Sequence, residues 1–312
     1  MFPPRRGGGQ YRVPVTSTTA GVSALSDHRR GQLAVGLAAL CWSTAGFLQR
    51  ELDVDLATQL AGRALFAGLA LLAFTTATYR GATLRVFISM GRAGLAVAAC
   101  VAVASGSFII ALNHTTVARV LLIQALAPMI AALIGWAALG DRISRRSVLA
   151  MVLALAGVGV MIGDPRGGQL TGDAFAFVMT VGFALGIVLM RHRRDISMMP
   201  ATCLSQGLIL AVALPFASLG TVPSDDWPML VAIGVVQMGV ALALFSIGAR
   251  LIPAPEAALL TLLEVVLGPL WVWLAISERP SDATLVGGAI LIGAVVIQVI
   301  GERAEVAAPA AV

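Results

Sequence analysis

Charged residues are scarce in this sequence. They make up 12 % of the 312 residues, whereas soluble domains carry about 25 %. Apolar residues reach 58 %, which is more than a soluble fold can cover. The balance excludes an ordinary soluble domain, and it also excludes a disordered chain, which needs few apolar residues and a high net charge.

Lysine is absent, so all 21 basic residues are arginines, and the formal net charge is +5. A nucleic-acid-binding domain would gather such charge on one face. Here the arginines stand in short groups between long apolar runs, which is typical of a membrane protein. We therefore expect membrane lipids around the chain and no nucleic-acid partner.

Cysteine is also rare. Cys41, Cys100 and Cys203 stand singly in apolar runs, which predicts neither a disulfide framework nor a metal site. No HExxH, paired-aspartate or phosphate-loop motif occurs. Ser105 and His114, the one pair that could suggest an intramembrane protease, lie nine residues apart on one predicted helix, about 13 Å along its axis. We expect no cofactor, no metal and no enzymatic activity.

Apolar runs long enough to cross a bilayer follow a basic segment, residues 1–30, that is rich in proline, glycine and arginine. We expect this segment to be a disordered cytoplasmic tail and residues 302–312 to be a short one. A span needs about 20 residues, and the runs lack the alternation of barrel strands. The sequence predicts an all-α integral membrane protein with ten spans, at 31–49, 56–78, 93–113, 116–139, 147–163, 172–190, 200–220, 228–249, 254–276 and 283–301.

The arginines give the orientation of these spans. With the N-terminus inside, sixteen arginines fall on the cytoplasmic side and three fall outside, and Arg63 and Arg119 lie within spans. Cytoplasmic loops are enriched in arginine and lysine. We therefore predict ten spans with both termini in the cytoplasm.

The sequence also repeats itself at a distance of 137 residues. This shift aligns Trp136 with Trp273, Asp141 with Glu278, and two further positions, Arg142 with Arg279 and Ser144 with Ser281. The predicted halves are residues 31–163 and 172–301, with five helices each. Because five is odd, the halves must have opposite orientations, and such inverted repeats are typical of transporters.

The two halves resemble the EamA family of the drug/metabolite transporter superfamily. The residues that carry the resemblance are Ala127-Pro128 and Gly140-Asp141-Arg142, then Leu263-Glu264 and Ser277-Glu278-Arg279. Val265 stands where the family often has proline, and Ser277 where glycine is common. The resemblance implies ten helices, a central cavity and, for most bacterial members, export of small metabolites or amino acids.

Ionisable residues inside a bilayer are costly and therefore candidates for function. Glu264 lies near the predicted midplane, and Arg63 lies about 10 Å inside the second span. Two hypotheses stay open: a buried Arg63–Glu264 pair that fixes packing, or a substrate cavity. The candidate cavity residues are Arg63, Gln124, Glu264, Trp271, Trp42 and Gln237.

Arg119 and Glu256 align in the repeat, near opposite faces of the membrane. For these two we expect snorkelling to water or a role as gate charges. Pro128 and Pro269 predict kinks in the fourth and ninth spans. Gly159 with Gly163, and Gly182 with Gly186, predict close helix packing.

The sequence therefore predicts a transporter in the bacterial inner membrane that moves a small organic solute, an amino acid or a drug-like molecule, by alternating access. Export is the expected direction, and protons are a candidate coupling ion. The alternatives are a membrane scaffold, which needs neither a midplane glutamate nor an inverted repeat, and an intramembrane enzyme.

The arginine count predicts that residues 221–227 face the outside and residues 191–195 face the cytoplasm. In a variant without native cysteines, a membrane-impermeant thiol reagent added outside should label Asp225→Cys and not Arg193→Cys. The reverse pattern would contradict the ten-span model.

Overall fold

The computed structural model describes residues 17–140, 143, 145–163, 169–192, 198–249, 251–252 and 254–307. These residues form helices and turns, and no strand occurs among them. Four residues discussed above, Asp141, Arg142, Ser144 and Arg193, lie outside the described residues, as does the side chain of Glu256. The first helix begins at Ser17, within the segment expected to be disordered. Pro14 is the last proline before residue 30, so no proline opposes a helix between Ser17 and Arg30.

The α-helices are numbered in chain order. They are α1 (Ser17–Ser43), α2 (Ala45–Arg50), α3 (Leu56–Tyr79), α4 (Thr83–Ser89), α5 (Gly91–His114), α6 (Val117–Gln124), α7 (Ala127–Leu139), α8 (Arg145–Ile162), α9 (Leu170–His192), α10 (Met198–Ala213), α11 (Trp227–Val231), α12 (Ala241–Gly248), α13 (Ala254–Ile276) and α14 (Asp282–Ala307). A π-helical segment, Ala232–Val240, joins α11 to α12.

Eight of the helical stretches are long and apolar enough to cross a membrane. Two more apolar helices within the described residues, Leu263–Ile276 and Asp282–Ile297, are shorter. The chain is thus a multi-pass, all-helical membrane protein, while the count of ten spans stays a prediction. Several helices begin and end within two residues of the predicted bounds, as α3 and α5 do.

The fourth predicted span is interrupted. α6 ends at Gln124, and α7 begins at Ala127 with Pro128 in its first turn. Because proline has no N–H, it cannot donate to the carbonyl of Gln124. The Thr180 hydroxyl of α9 donates to the Ala176 carbonyl at 2.7 Å and lies 3.3 Å from the Ile123 carbonyl at the end of α6. Pro269, by contrast, lies inside the continuous helix α13.

Helix packing follows the proposed repeat. α3 packs against α10 and α8 against α14, so each of these pairs joins equivalent helices of the two halves. The contact of α5 with α9 corresponds to the contact of α12 with α1. In the same way, the contact of α6 and α7 with α9 corresponds to the contact of α13 with α1. Exchanging the halves therefore maps the main contacts onto one another.

The ends of α7 and α13 have the same backbone conformation. Gly140, after α7, has φ 74°, and Ser277, after α13, has φ 58°. Glycine adopts this left-handed region freely, whereas a residue with a side chain does so at a cost. This explains why glycine suits the position before the acidic residue of each motif, and Ser277 adopts the same conformation without being glycine.

Backbones approach most closely where α8 meets α14. A Cβ atom added to Gly157 would lie 2.6 Å from the carbonyl oxygen of Gly287, and nothing lies within 4 Å of the position that a Cβ of Gly159 would take. The packing glycine of α8 is therefore Gly157, and the prediction for Gly159 is wrong, because Gly159 lies on another face of the helix. Gly182 does pack closely, with the Cys100 carbonyl 3.1 Å from its virtual Cβ.

Gly157→Ala should therefore lower the free energy of unfolding by about 1–3 kcal/mol, because the added methyl group overpacks the α8–α14 contact. Gly159→Ala is the matched control. Since it meets open space and alanine favours the helix by about 1 kcal/mol, it should be neutral or stabilising. Thermal unfolding of the two purified variants in the same detergent compares them, and equal shifts in Tm would contradict this packing.

Candidate functional site

Arg63 lies in the interior of the helical bundle. Its side chain projects from α3 and is 5 % exposed. One terminal nitrogen donates to the Ser105 hydroxyl of α5 at 2.8 Å, and the other donates to the Gln237 side-chain oxygen at 3.4 Å. The guanidinium carbon lies 5.8 Å from the centre of the Phe108 ring. Arg63 thus joins three helical stretches through neutral groups.

Gln237 reaches Arg63 from the π-helical segment. Such segments are rare and occur frequently at functional sites, because the wider turn changes the direction of the side chains that follow. Gln237 is buried, and the sulfur of its neighbour Met238 lies 3.8 Å from the same terminal nitrogen of Arg63. The structure therefore brings Gln237 and Arg63 together, as two of the predicted cavity residues.

Glu264 is buried on α13, with 7 % of its surface exposed. Within the described part of the chain it has no hydrogen bond or ion pair, so the predicted Arg63–Glu264 pair is wrong. The two residues lie at different depths. Arg63 lies seven residues from the start of α3, which is about 10 Å from that end of the bundle. Glu264 lies twelve residues from the end of α13, which is about 18 Å from the same end.

The two tryptophans of the predicted cavity both lie where α1 meets the second half. The Trp271 ring nitrogen donates to the Ser43 hydroxyl at 2.9 Å. Trp42 packs on Phe245 with ring centres 5.3 Å apart. Gln124, the remaining predicted residue, is half-buried at the end of α6, beside the helix break. None of these three side chains hydrogen-bonds to Arg63, so the structure does not gather all six candidates around one point.

Arg119 forms a buried ion pair with Asp173. Its guanidinium lies 2.6 Å from the Asp173 carboxylate, and the two side chains are 2 % and 3 % exposed. The Thr115 hydroxyl donates to the other Asp173 oxygen at 3.0 Å. Arg119 therefore does not snorkel to water, and the expectation that it does so is wrong, because Asp173 neutralises it in the interior.

Sequence reasoning missed Asp173, which stands in the first turn of α9 at the edge of a predicted span. A position at a span edge predicts a water-facing carboxylate. The available signal was a second charge at the same predicted face as Arg119, since both residues begin spans that follow external loops. The spacing of 54 residues gave no indication that the two helices touch.

A second ion pair lies near the first. Arg50, at the end of α2, contacts Glu278 at 3.1 Å and donates to the Thr115 carbonyl at 2.7 Å. Glu278 also accepts from the backbone N–H of Val117, at the start of α6, at 3.1 Å. Glu278 therefore caps α6, where a carboxylate is favoured by the helix dipole. This assigns a structural role to the acidic residue of the second motif.

Both ion pairs lie at one end of the bundle, where α5 ends and α6 begins; we name it the α5–α6 end. Each pair joins the first half of the chain, through Arg50 or Arg119, to the second half, through Glu278 or Asp173. Three amide side chains also lie at this end: the buried Gln59 side-chain oxygen accepts from the buried Gln49 at 2.6 Å and from the exposed Asn113 at 2.8 Å. Gln59 stands one helical turn before Arg63, between it and this end.

Comparison with known proteins gives the same architecture. The model of the EamA-like transporter family matches residues 29–163 and 170–300. An uncharacterized transporter of Archaeoglobus fulgidus is 29 % identical over 271 residues, which cover 86 % of this chain and 96 % of that protein. A solved crystal structure of a protein with 21 % identity matches with a TM-score of 0.59 over 88 % of this chain and 98 % of the other. The last similarity shows the fold alone.

The buried pair predicts a strong effect on stability. Arg119→Met leaves the Asp173 carboxylate buried without its counter-charge and should cost about 3–5 kcal/mol. Arg279→Met removes an arginine from a solvent-exposed pair with Asp282, 69 % and 94 % exposed, and should cost less than about 1 kcal/mol. Thermal unfolding of both variants measures the difference. Similar losses would show that the Arg119–Asp173 pair is not buried.

Proposed function

Because the chain belongs to the EamA-like transporter family, we propose that it carries a small organic solute across the bacterial cell membrane by alternating access. We propose export as the direction. The one observation that carries this proposal is that Arg63 and Glu264 are buried in the apolar bundle without a counter-charge in the described part of the chain. Ionisable side chains in such positions are costly to retain and mark solute or ion pathways.

The solute path is proposed to run between the two halves. Arg63 and Gln237 form its polar part, since they are hydrogen-bonded and buried. Glu264 lies deeper, and Gln124, Trp271 and Trp42 would line the remainder. The broken helix at Gln124 supports this, because backbone groups freed from helical hydrogen bonds at membrane depth are tolerated only where protein or a water-filled cavity satisfies them.

The α5–α6 end is proposed to be the external gate, closed in this structure. The arginine count puts this end outside, and both ion pairs there connect the two halves. Opening would separate Arg119 from Asp173 and Arg50 from Glu278, and water would then solvate the four charges. Arg119 is therefore proposed as a gate charge, and Glu256 is a second gate candidate because it aligns with Arg119 in the repeat.

Glu264 is proposed to couple transport to protons. A carboxylate buried without a partner is favoured in its protonated form, and exposure to water on one side would release the proton. Two exposures, one on each side, would move one proton per cycle. This role needs no ion pair with Arg63, in agreement with the depths of the two residues.

The proposed function is tested by comparing metabolites in the medium of cells that carry the gene with those of cells that lack it. A transporter should change the extracellular amount of at least one small solute, with the opposite change inside the cell. A scaffold would leave the extracellular amounts unchanged. A membrane enzyme would convert one compound into another, so that a new mass would appear together with the loss of its precursor.

Glu264→Gln tests the coupling. Glutamine keeps the volume and hydrogen bonding of the side chain but does not titrate, so transport should lose its dependence on the proton gradient. Since no ion pair is broken, the melting temperature should not fall. Glu51→Gln, which makes the same change at an exposed position, should leave both properties unaltered. Proton-dependent transport that persists in Glu264→Gln would refute this role.

A further inference from the structure

Arg63 differs from the other two arginines that the structure places at contacts between helices. Arg119 is neutralised by Asp173 and Arg50 by Glu278. Arg63 is 5 % exposed, and within the described residues its polar partners are the neutral groups of Ser105, Gln237 and Met238. Two of those three contacts are longer than 3.3 Å. A guanidinium is thus buried in this bundle without an anion.

The Arg63 guanidinium has N–H donors that its present hydrogen bonds do not use. The Arg63 Nε atom is buried and has no hydrogen-bond partner in the part of the chain that the structure describes. A guanidinium presents five N–H donors in a planar fork, and its most favourable partner is an oxyanion held by two parallel hydrogen bonds. The Phe108 ring beneath the guanidinium stabilises the charge and leaves the edge of the fork available.

A purely structural role does not account for this arrangement. A buried charge without a counter-charge is destabilising, and apolar residues of similar volume generally replace buried ionic groups at no loss of stability. The bundle therefore retains Arg63 at a cost in stability. Charges held in this way inside a membrane protein mark the position of a charged ligand or ion.

We propose that Arg63 binds the carboxylate of the transported solute, which makes the substrate class of this transporter small organic molecules with one carboxylate. The inference rests on the proposed transport function and deepens it. The single positive charge suits a monoanion. Ser105 and Gln237 hold the guanidinium from two sides, so that it presents a fixed orientation to the ligand. A phosphate dianion would need a second cation, and among the described residues none contacts this group.

Stability of the purified protein gives the first arm of the test. Arg63→Gln removes a charge that lacks a counter-charge, so the melting temperature in the absence of solute should rise or stay the same. Arg119→Gln is the matched control, and its melting temperature should fall, because it breaks an ion pair. A fall in Arg63→Gln as large as that in Arg119→Gln would overturn the proposal by showing that Arg63 is structural.

Extracellular metabolites give the second arm. In cells with the wild-type protein, the exported compounds should carry one carboxylate, and Arg63→Gln should reduce their export about 10- to 100-fold, the effect of losing one charge-assisted hydrogen bond. Arg63→Lys keeps the charge without the fork and should retain part of the export. Arg279→Gln, at an exposed arginine, should export as the wild type does.

The possible results of these experiments distinguish the carboxylate-binding role of Arg63 from the proposed transport function. Export of compounds without a carboxylate, or of carboxylates at the wild-type rate by Arg63→Gln, would overturn the inference and leave the transport function standing. No exported compound in the wild type would overturn the transport function, and the inference with it. If Arg63→Gln and Arg63→Lys both fail to reach the membrane, Arg63 is required for folding, and the inference is wrong.

Discussion

Charged side chains inside this apolar bundle must be neutralised, and their partners determine how the helices are held together. In an apolar bundle a charge must find a partner, become neutral or bind something that neutralises it. Arg119 and Asp173 satisfy this condition together at 2.6 Å, and in doing so they fix α6 against α9. Glu278 satisfies it with Arg50 and with the first backbone N–H of α6. Because each pair joins the two halves, the charges at the α5–α6 end are compensated across the boundary between the halves.

Besides these ion pairs, two interruptions of regular α-helix lie where the two halves pack together. The break between α6 and α7 follows from Pro128, and the Thr180 hydroxyl of α9 lies 3.3 Å from the carbonyl at the end of α6. The π-helical segment presents Gln237 to Arg63. Both irregularities lie in helices that pack across the boundary between the halves. The π-helical segment thereby adds the buried amide of Gln237 to the interior, next to Arg63.

Much of the fold could be predicted because membrane helices are encoded locally. The lengths of apolar runs gave α3 and α5 to within two residues, and the repeat of 137 residues agrees with the exchange of equivalent packing partners. The left-handed conformation shared by Gly140 and Ser277 fits the same register. These properties follow from the composition of single segments and from the similarity of the two halves.

The pairing of charges could not be predicted in this way. Depth along a helix can be estimated from the sequence, but the direction in which a side chain points toward another helix cannot. That Arg63 points toward Ser105 and Gln237 could therefore not be predicted. Asp173 was missed because a carboxylate at a span edge has no distinctive local pattern. Gln237 was named as a candidate, but the π-helical segment that brings it to Arg63 was not foreseen.

In the proposed function, the two halves separate and rejoin at the α5–α6 end during transport. Spin labels at Glu51→Cys, in the first half, and Asp282→Cys, in the second, occupy exposed positions at this end. In a variant without native cysteines, pulsed electron–electron double resonance measures the distribution of distances between the two labels. This distribution shows whether the α5–α6 end is closed or open. Alternating access should give a population of short distances and a population of long ones, and the long one should increase when Asp173→Asn weakens the ion pair. A single short distance, unchanged by Asp173→Asn and by pH, would rule out opening at this end.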